Sequence, residues 1–238
     1  MQSEEFQSFL GTVGPSILLI NGQASEVGDL RTSLSFICAK LANALRDARK
    51  AKHEDRPKAA NIICLSYFCG EHTSWRSDVM ATPAGILNSL IAQLLRQHKH
   101  FSFNKLKHLD TLDYDSTDSL YTIFSKLVRQ LPDDTVVFCI LERLSEYDDA
   151  ERRDDADRLL EGLIKLTEKR GSRGKECIFK LLVTSPIELR LDAARMLHDD
   201  EKLYLPETLD KQGGFTALQW DVSAGQEIEG LSKLGIGD

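Results

Sequence analysis

Four short stretches of the chain are almost continuously apolar, the pattern of strands covered on both faces. They are Ser16–Ile20, running into the turn signal Asn21-Gly22; Asn61–Phe68; Thr135–Leu141, which is β-branched and aromatic; and Phe179–Thr184, broken only by Lys180 and Thr184. Phe215–Trp220, entered through Gly213-Gly214, reads as a fifth strand. Between them the apolar positions recur with the helical period. Leu34, Ile37, Cys38, Leu41 and Leu45 form one such face, and Ile86, Leu87, Leu90, Ile91, Leu94 and Leu95 form another behind the cap signal Thr82-Pro83. A third helix is expected from about Asp118 to Leu131, stopping before Pro132. A fourth is expected within Ala150–Arg170, ending near Gly171, and a short one near Leu189–Leu197. Gln23–Asp29 reads as a loop, Arg49–Lys58 as an exposed connection, and His98–Tyr114 as irregular or briefly helical.

Strands alternating with helices predict an α/β fold. Parallel neighbours need crossovers, and right-handed crossovers place helices on both faces. The expected architecture is a three-layer sandwich around a mostly parallel five-stranded sheet. No Pro-, Gly- or Ser-rich linker divides the chain and no internal repeat is evident, so residues 1–221 read as one domain and 222–238 as a C-terminal tail.

Composition narrows the function classes. With 42% apolar and 28% charged side chains the chain is an ordinary globular one, and its formal charge of −7 disfavours broad attraction to nucleic acid or anionic lipid. No apolar stretch approaches the roughly 20 residues of a membrane helix, and Met1–Phe6 lacks the basic start of a secretory signal. An intracellular protein, cytoplasmic or nuclear, is expected, with neither nucleic acid nor membrane as partner. The five cysteines are odd in number and mostly sit in apolar runs, which suits a reducing compartment. Cys64, Cys69 and His72 match no paired zinc-ligand spacing, and no metal site is expected.

In open α/β sheets ligands bind beyond the carboxyl ends of the strands, which directs attention to Gly22–Ser33, Glu142–Asp149 and Thr184-Ser185-Pro186. From about Ser16 to Trp220 the layout resembles the NACHT-type branch of signal-transducing P-loop NTPases, its fungal members in particular. The resemblance is carried by the first strand and its turn, Ser66-Tyr67-Phe68-Cys69 with the helix Ile86–Arg96, Ile140–Tyr147, and Lys180–Ser185. In that family the third strand ends in a pattern like Ile-Asp-Ala-Leu-Asp-Glu-Cys, which places Glu142 at the magnesium-holding aspartate, Ser145 at a second acid and Glu146 at the following acidic position. Thr184 falls in the sensor, and Pro186 stands where an arginine often follows.

The phosphate loop departs further. Cradling a polyphosphate takes backbone N–H groups freed by small residues, a lysine, and a hydroxyl for magnesium. No lysine occurs between Met1 and Lys40. Counted strictly from Gly22, Gly28 takes the lysine position; with a three-residue insertion Arg31 and Thr32 take the lysine and hydroxyl positions, but Leu30 replaces the glycine beside them. Arginine is a poor substitute for an enclosed lysine, and glutamate on its longer stem shifts the distance that octahedral magnesium demands. Each residue also has an ordinary use: Gly22 and Gly28 in turns, Arg31 and Thr32 at a helix start, Glu142 and Glu146 as solvated acids.

The expectation is therefore a non-catalytic P-loop NTPase-like domain, a pseudo-NTPase serving as a protein-interaction or regulatory module. It would need no cofactor and would engage protein partners, in the manner of a subunit of a larger assembly. The competing expectation is an ATPase or GTPase with a divergent phosphate loop. It would bind ATP or GTP with magnesium through Gly22, Gly28, Arg31, Thr32 and Thr184, and would use Glu142 and Glu146 for catalysis.

Overall fold

The structure, a computed structural model, describes residues 4–22, 28–55, 60–106, 113–168 and 176–205, and within these the side chains of 28–33, 51–55 and 105 are not described. In chain order the main elements are α1 (Glu4–Gly11), β1 (Ser16–Gly22), α2 (Gly28–Asp55), β2 (Asn61–Phe68), α3 (Pro83–Gln97), α4 (Thr117–Val128), β3 (Thr135–Glu142), α5 (Arg153–Thr167), β4 (Ile178–Ser185), α6 (Asp192–Arg195) and β5 (Lys202–Leu205). Five strands, every pairing parallel, lie in the order β2-β3-β4-β1-β5.

Side-chain alternation explains why the strands read as unbroken apolar runs. Leu18, Ile20, Ile62, Cys64, Val136, Phe138 and Ile140 face one way, onto Phe6, Phe9 and Leu10 of α1 and Leu34, Cys38, Leu41 and Leu45 of α2. Ile17, Leu19, Ile63, Leu65, Val137, Cys139 and Leu141 face the other way, onto α3, α4 and α5. Both faces are dry, so no polar alternation survives in the sequence. The fold is the three-layer α/β sandwich of P-loop NTPase type.

Edge strand β2 is closed by side chains. The Gln97 amide donates to the Cys64 carbonyl at 2.7 Å and accepts from its N–H at 3.2 Å, and Gln93, one turn earlier on α3, does the same to Ser66 at 2.9 and 3.0 Å. These two glutamines meet the backbone groups that would otherwise template another strand.

Several expectations are corrected. The helix expected around Leu34–Leu45 spans Gly28–Asp55, so most of the stretch read as an exposed connection is helical. Its continuation is held by Arg49, which donates to the Gln97 side chain at 2.8 Å and to the Gln97 carbonyl at 2.6 Å. Helix α1 was not expected, though Phe6, Phe9 and Leu10 carry its buried face. The sheet's fifth strand is Lys202–Leu205, too short and too exposed to leave an apolar signature; the strand expected at Phe215–Trp220 lies outside the described residues, as does the 221/222 boundary. Within His98–Tyr114 the described residues hold one 3-10 turn, Phe103–Lys105. No helix among the described residues is long and apolar enough to cross a membrane.

Candidate functional site

The carboxyl ends of β3, β4 and β1 lie side by side because β4 is inserted between the other two. Glu142, the last residue of β3, is 1% exposed although nothing in its sequence context marks it as buried. Its Oε1 accepts a short hydrogen bond from the Ser35 hydroxyl of α2, and its Oε2 lies 3.4 Å from the Gly70 N–H just beyond β2. Burial pushes the Glu142 carboxyl above its ordinary range, against the opposing pull of the Ser35 hydroxyl, the Arg143 charge and the Gly70 N–H.

Arg143 follows in the left-handed region, with φ 56° and ψ 48°. Among the described residues it is the sole non-glycine at positive φ, a conformation that costs about 1–2 kcal/mol for a residue with a Cβ. Its N–H donates to the Thr184 hydroxyl of β4 at 3.2 Å, so the sensor-position hydroxyl is tied to the end of β3. The guanidinium turns back over the cluster, with Nη2 at 2.5 Å from Glu146 Oε1 and Nε at 3.9 Å from Glu142 Oε1. It rests on Gly70, where a Cβ would meet Nη1 at 2.3 Å. Glu146 lies in the 3-10 turn Leu144–Tyr147.

The structure thus brings Glu142, Glu146 and Thr184 together, and with them three residues the sequence did not single out: Ser35, Gly70 and Arg143. Gly22 ends β1, and a Cβ there would meet the Pro186 carbonyl oxygen at 2.2 Å. Close approach of the β4 exit is therefore enough to require glycine at that place. Gly28 is the first residue of α2 and Arg31 and Thr32 belong to its first turns. Their side chains, and residues 23–27, lie outside what the structure describes.

Magnesium prefers octahedral oxygen ligands and keeps several waters. The donor set here does not match that need. Both carboxylates already face the chain's own guanidinium, and Glu142 also serves a hydroxyl and a backbone N–H.

Behind the cluster the segment Cys69–Thr82 is anchored from several sides. The His72 ring pairs with Asp78 at 2.7 Å and stacks on Tyr67, and the Tyr67 hydroxyl donates to the Met80 carbonyl. Arg152 donates to the Ala81 carbonyl at 3.1 Å. Arg152 itself is 7% exposed, although it lies in a strongly charged stretch of the sequence. Burial pushes the Cys38 thiol to about 12 and the Cys64 thiol to about 11, so neither is a thiolate near neutral pH.

The fold is of P-loop NTPase type, and it sets Glu142 and Thr184 at the ends of adjoining strands with Glu146 in the turn that follows β3. Over residues 1–185 the chain matches the family described as Nephrocystin 3, N-terminal, and it belongs to that family. No curated protein matches it.

Proposed function

We propose that this is a degenerate NACHT-type domain, a pseudo-NTPase that works as a protein-interaction or regulatory module rather than as a hydrolase. The observation that carries the reading is the state of Glu142. Its carboxylate takes the Ser35 hydroxyl and the Gly70 N–H, and Arg143 approaches within 3.9 Å, so its lone pairs are turned toward the protein. A water-activating or metal-holding acid must instead offer them to the ligand. The absence of any lysine before Lys40 removes the usual contact to the outer phosphates. The family match supports kinship with P-loop proteins, and the resemblance of Ile140–Glu146 to the NACHT pattern supports the finer assignment. Interaction with protein partners in a larger assembly is the role that the NACHT-type resemblance implies for a domain without turnover; the fold alone does not fix it.

A second reading draws on one observation. Strand β1 stops at Gly22 and α2 starts at Gly28, so a helix N-terminus, the element on which anion sites are built, follows the first strand. On that reading the chain binds ATP or GTP with magnesium through Arg31 and Thr32. Thermal melts of the whole chain separate the two. A ligand selective for the native state raises Tm, by about 2.7 kcal/mol of stability at a hundredfold excess over Kd. The pseudo-NTPase reading expects no shift with millimolar Mg-ATP, Mg-ADP or Mg-GTP. A rise of several degrees that Arg31→Ala abolishes establishes the second reading.

A further inference from the structure

We propose that Arg143 is the resident cation of the acidic cluster: its guanidinium occupies the place beside Glu142 and Glu146 that a divalent ion would need, closing the site to such ions and joining three strand ends without one. The proposal rests on the pseudo-NTPase reading above and names what replaces the metal.

The site is shaped for this side chain. Glu142 and Glu146 are both mostly buried and of one sign, so an uncompensated pair would repel strongly, and one of the two would have to take up a proton or a cation. The guanidinium supplies the compensation, at 2.5 Å from Glu146 and 3.9 Å from Glu142. Gly70 supplies the room, because any Cβ at that position would collide with Nη1 at 2.3 Å. The left-handed backbone at Arg143 supplies the direction, returning the side chain over the strand end it has just left. The same residue reaches β4 through its N–H to Thr184 and the exit of β2 through its packing on Gly70. A bound ion would link the strand ends only while present. A guanidinium carried by the chain itself links them whenever the domain is folded.

The test titrates Mn2+ alone, without nucleotide, into the whole chain, followed by electron paramagnetic resonance of free Mn2+ and by melting temperature. Wild type is expected to leave Mn2+ free and to melt at the same temperature with or without it. Arg143→Ala keeps a Cβ, and with it the strain of the left-handed backbone, and removes the guanidinium together with its aliphatic stem. It is expected to melt lower in metal-free buffer, to bind Mn2+ at least about tenfold more tightly than wild type, and to recover stability on binding. Arg143→Lys, which keeps the charge on a more compact head, is expected to gain no Mn2+ affinity.

If Arg143→Ala does not fold, Gly70→Ala asks the same question by crowding the guanidinium out of its place, and it too should gain Mn2+ binding. The proposal is overturned if wild type binds Mn2+ in a manner lost in Glu142→Gln, or if neither Arg143→Ala nor Gly70→Ala gains affinity. Because no nucleotide is used, a wild type that binds Mg-ATP but ignores Mn2+ alone would sink the functional reading and leave this one standing.

Discussion

Lys180→Met should cost the domain about 2–4 kcal/mol, a fall in Tm of roughly 5–15 °C for a chain of this size. Lys180 sits in the middle of the apolar run of β4 and is 1% exposed. Its ammonium donates to the carbonyls of Phe9 at 2.6 Å and Thr12 at 2.7 Å, reaches the Leu10 carbonyl at 3.5 Å and the Ser16 hydroxyl at 3.3 Å, and lies 5.5 Å from the Phe9 ring. Those carbonyls are the orphaned acceptors at the end of α1, and a cation there also complements the helix dipole. Methionine fills the volume but leaves the buried carbonyls without a donor, so α1 should detach first, with early hydrogen exchange across residues 4–11. Burial pushes the Lys180 amine down to about 8, below its ordinary 10.5. Between those two values the unfolded chain holds a proton that the folded chain has released. Wild-type stability should therefore rise with pH from about 8 to about 10.5 relative to Lys180→Met, and be lost again as pH falls through the folded value. Parallel pH profiles for the two proteins would refute this account of Lys180.

Arg152→Ala should cost a comparable amount, about 2–4 kcal/mol, because it breaks a buried charge arrangement from one side. The guanidinium lies 4.4 Å over the Tyr147 ring, donates from Nε to Asp149 at 2.8 Å, and caps the carbonyls of Glu146 at 2.6 Å and Ala81 at 3.1 Å. It therefore clamps the 3-10 turn carrying Glu146 to the segment that ends in Thr82. Removing it leaves the carbonyls of Glu146 and Ala81 without this donor, while Asp149 Oδ1 keeps the N–H groups of residues 151 and 152. Urea denaturation should show the loss, and hydrogen exchange should accelerate across residues 69–82 before the rest of the sheet. Arg152→Lys should recover little, since an ammonium cannot make the forked contacts. An unfolding free energy within about 0.5 kcal/mol of wild type, the size of an ordinary surface substitution, would show that the clamp contributes nothing.

The legible parts of the fold were those in which one physical force dominates. Strands β1 to β4 are buried on both faces, and burial alone writes Ile17–Ile20, Ile62–Leu65, Val136–Leu141 and Phe179–Val183 as apolar runs. Thr82 and Pro83 marked the start of α3, and the Thr82 hydroxyl accepts from the Gly85 N–H at 3.0 Å. The parts that the sequence does not disclose rest on polar contacts between distant parts of the chain. Residues 49–55 look solvent-bound until Arg49 is seen to grip Gln97. Lys180 reads as a blemish in a strand until α1, some 170 residues away in sequence, closes over it.

The candidate site divides in the same way. The strand-end positions of Glu142 and Thr184 could be read from the order of elements. The burial of Glu142 could not, because it depends on Ser35, 107 residues distant, and on the Gly70 N–H. The sequence carries a signal for Arg143: the NACHT-type pattern that Ile140–Tyr147 resembles places alanine after the strand-end acid, and a large cation at that position, followed by Glu146, has few places to go. Its left-handed backbone, however, is not a conformation that sequence assigns to arginine.

The account stands or falls on whether the acid at the end of β3 serves the protein or a substrate. Phosphate release from Mg-ATP and Mg-GTP, measured on wild type beside Glu142→Gln, addresses this directly. Glutamine keeps the acceptor for Ser35 and the volume while removing the charge. The account predicts that wild type releases phosphate no faster than buffer and that the variant is indistinguishable from it. Release above background in wild type that disappears in Glu142→Gln would contradict it.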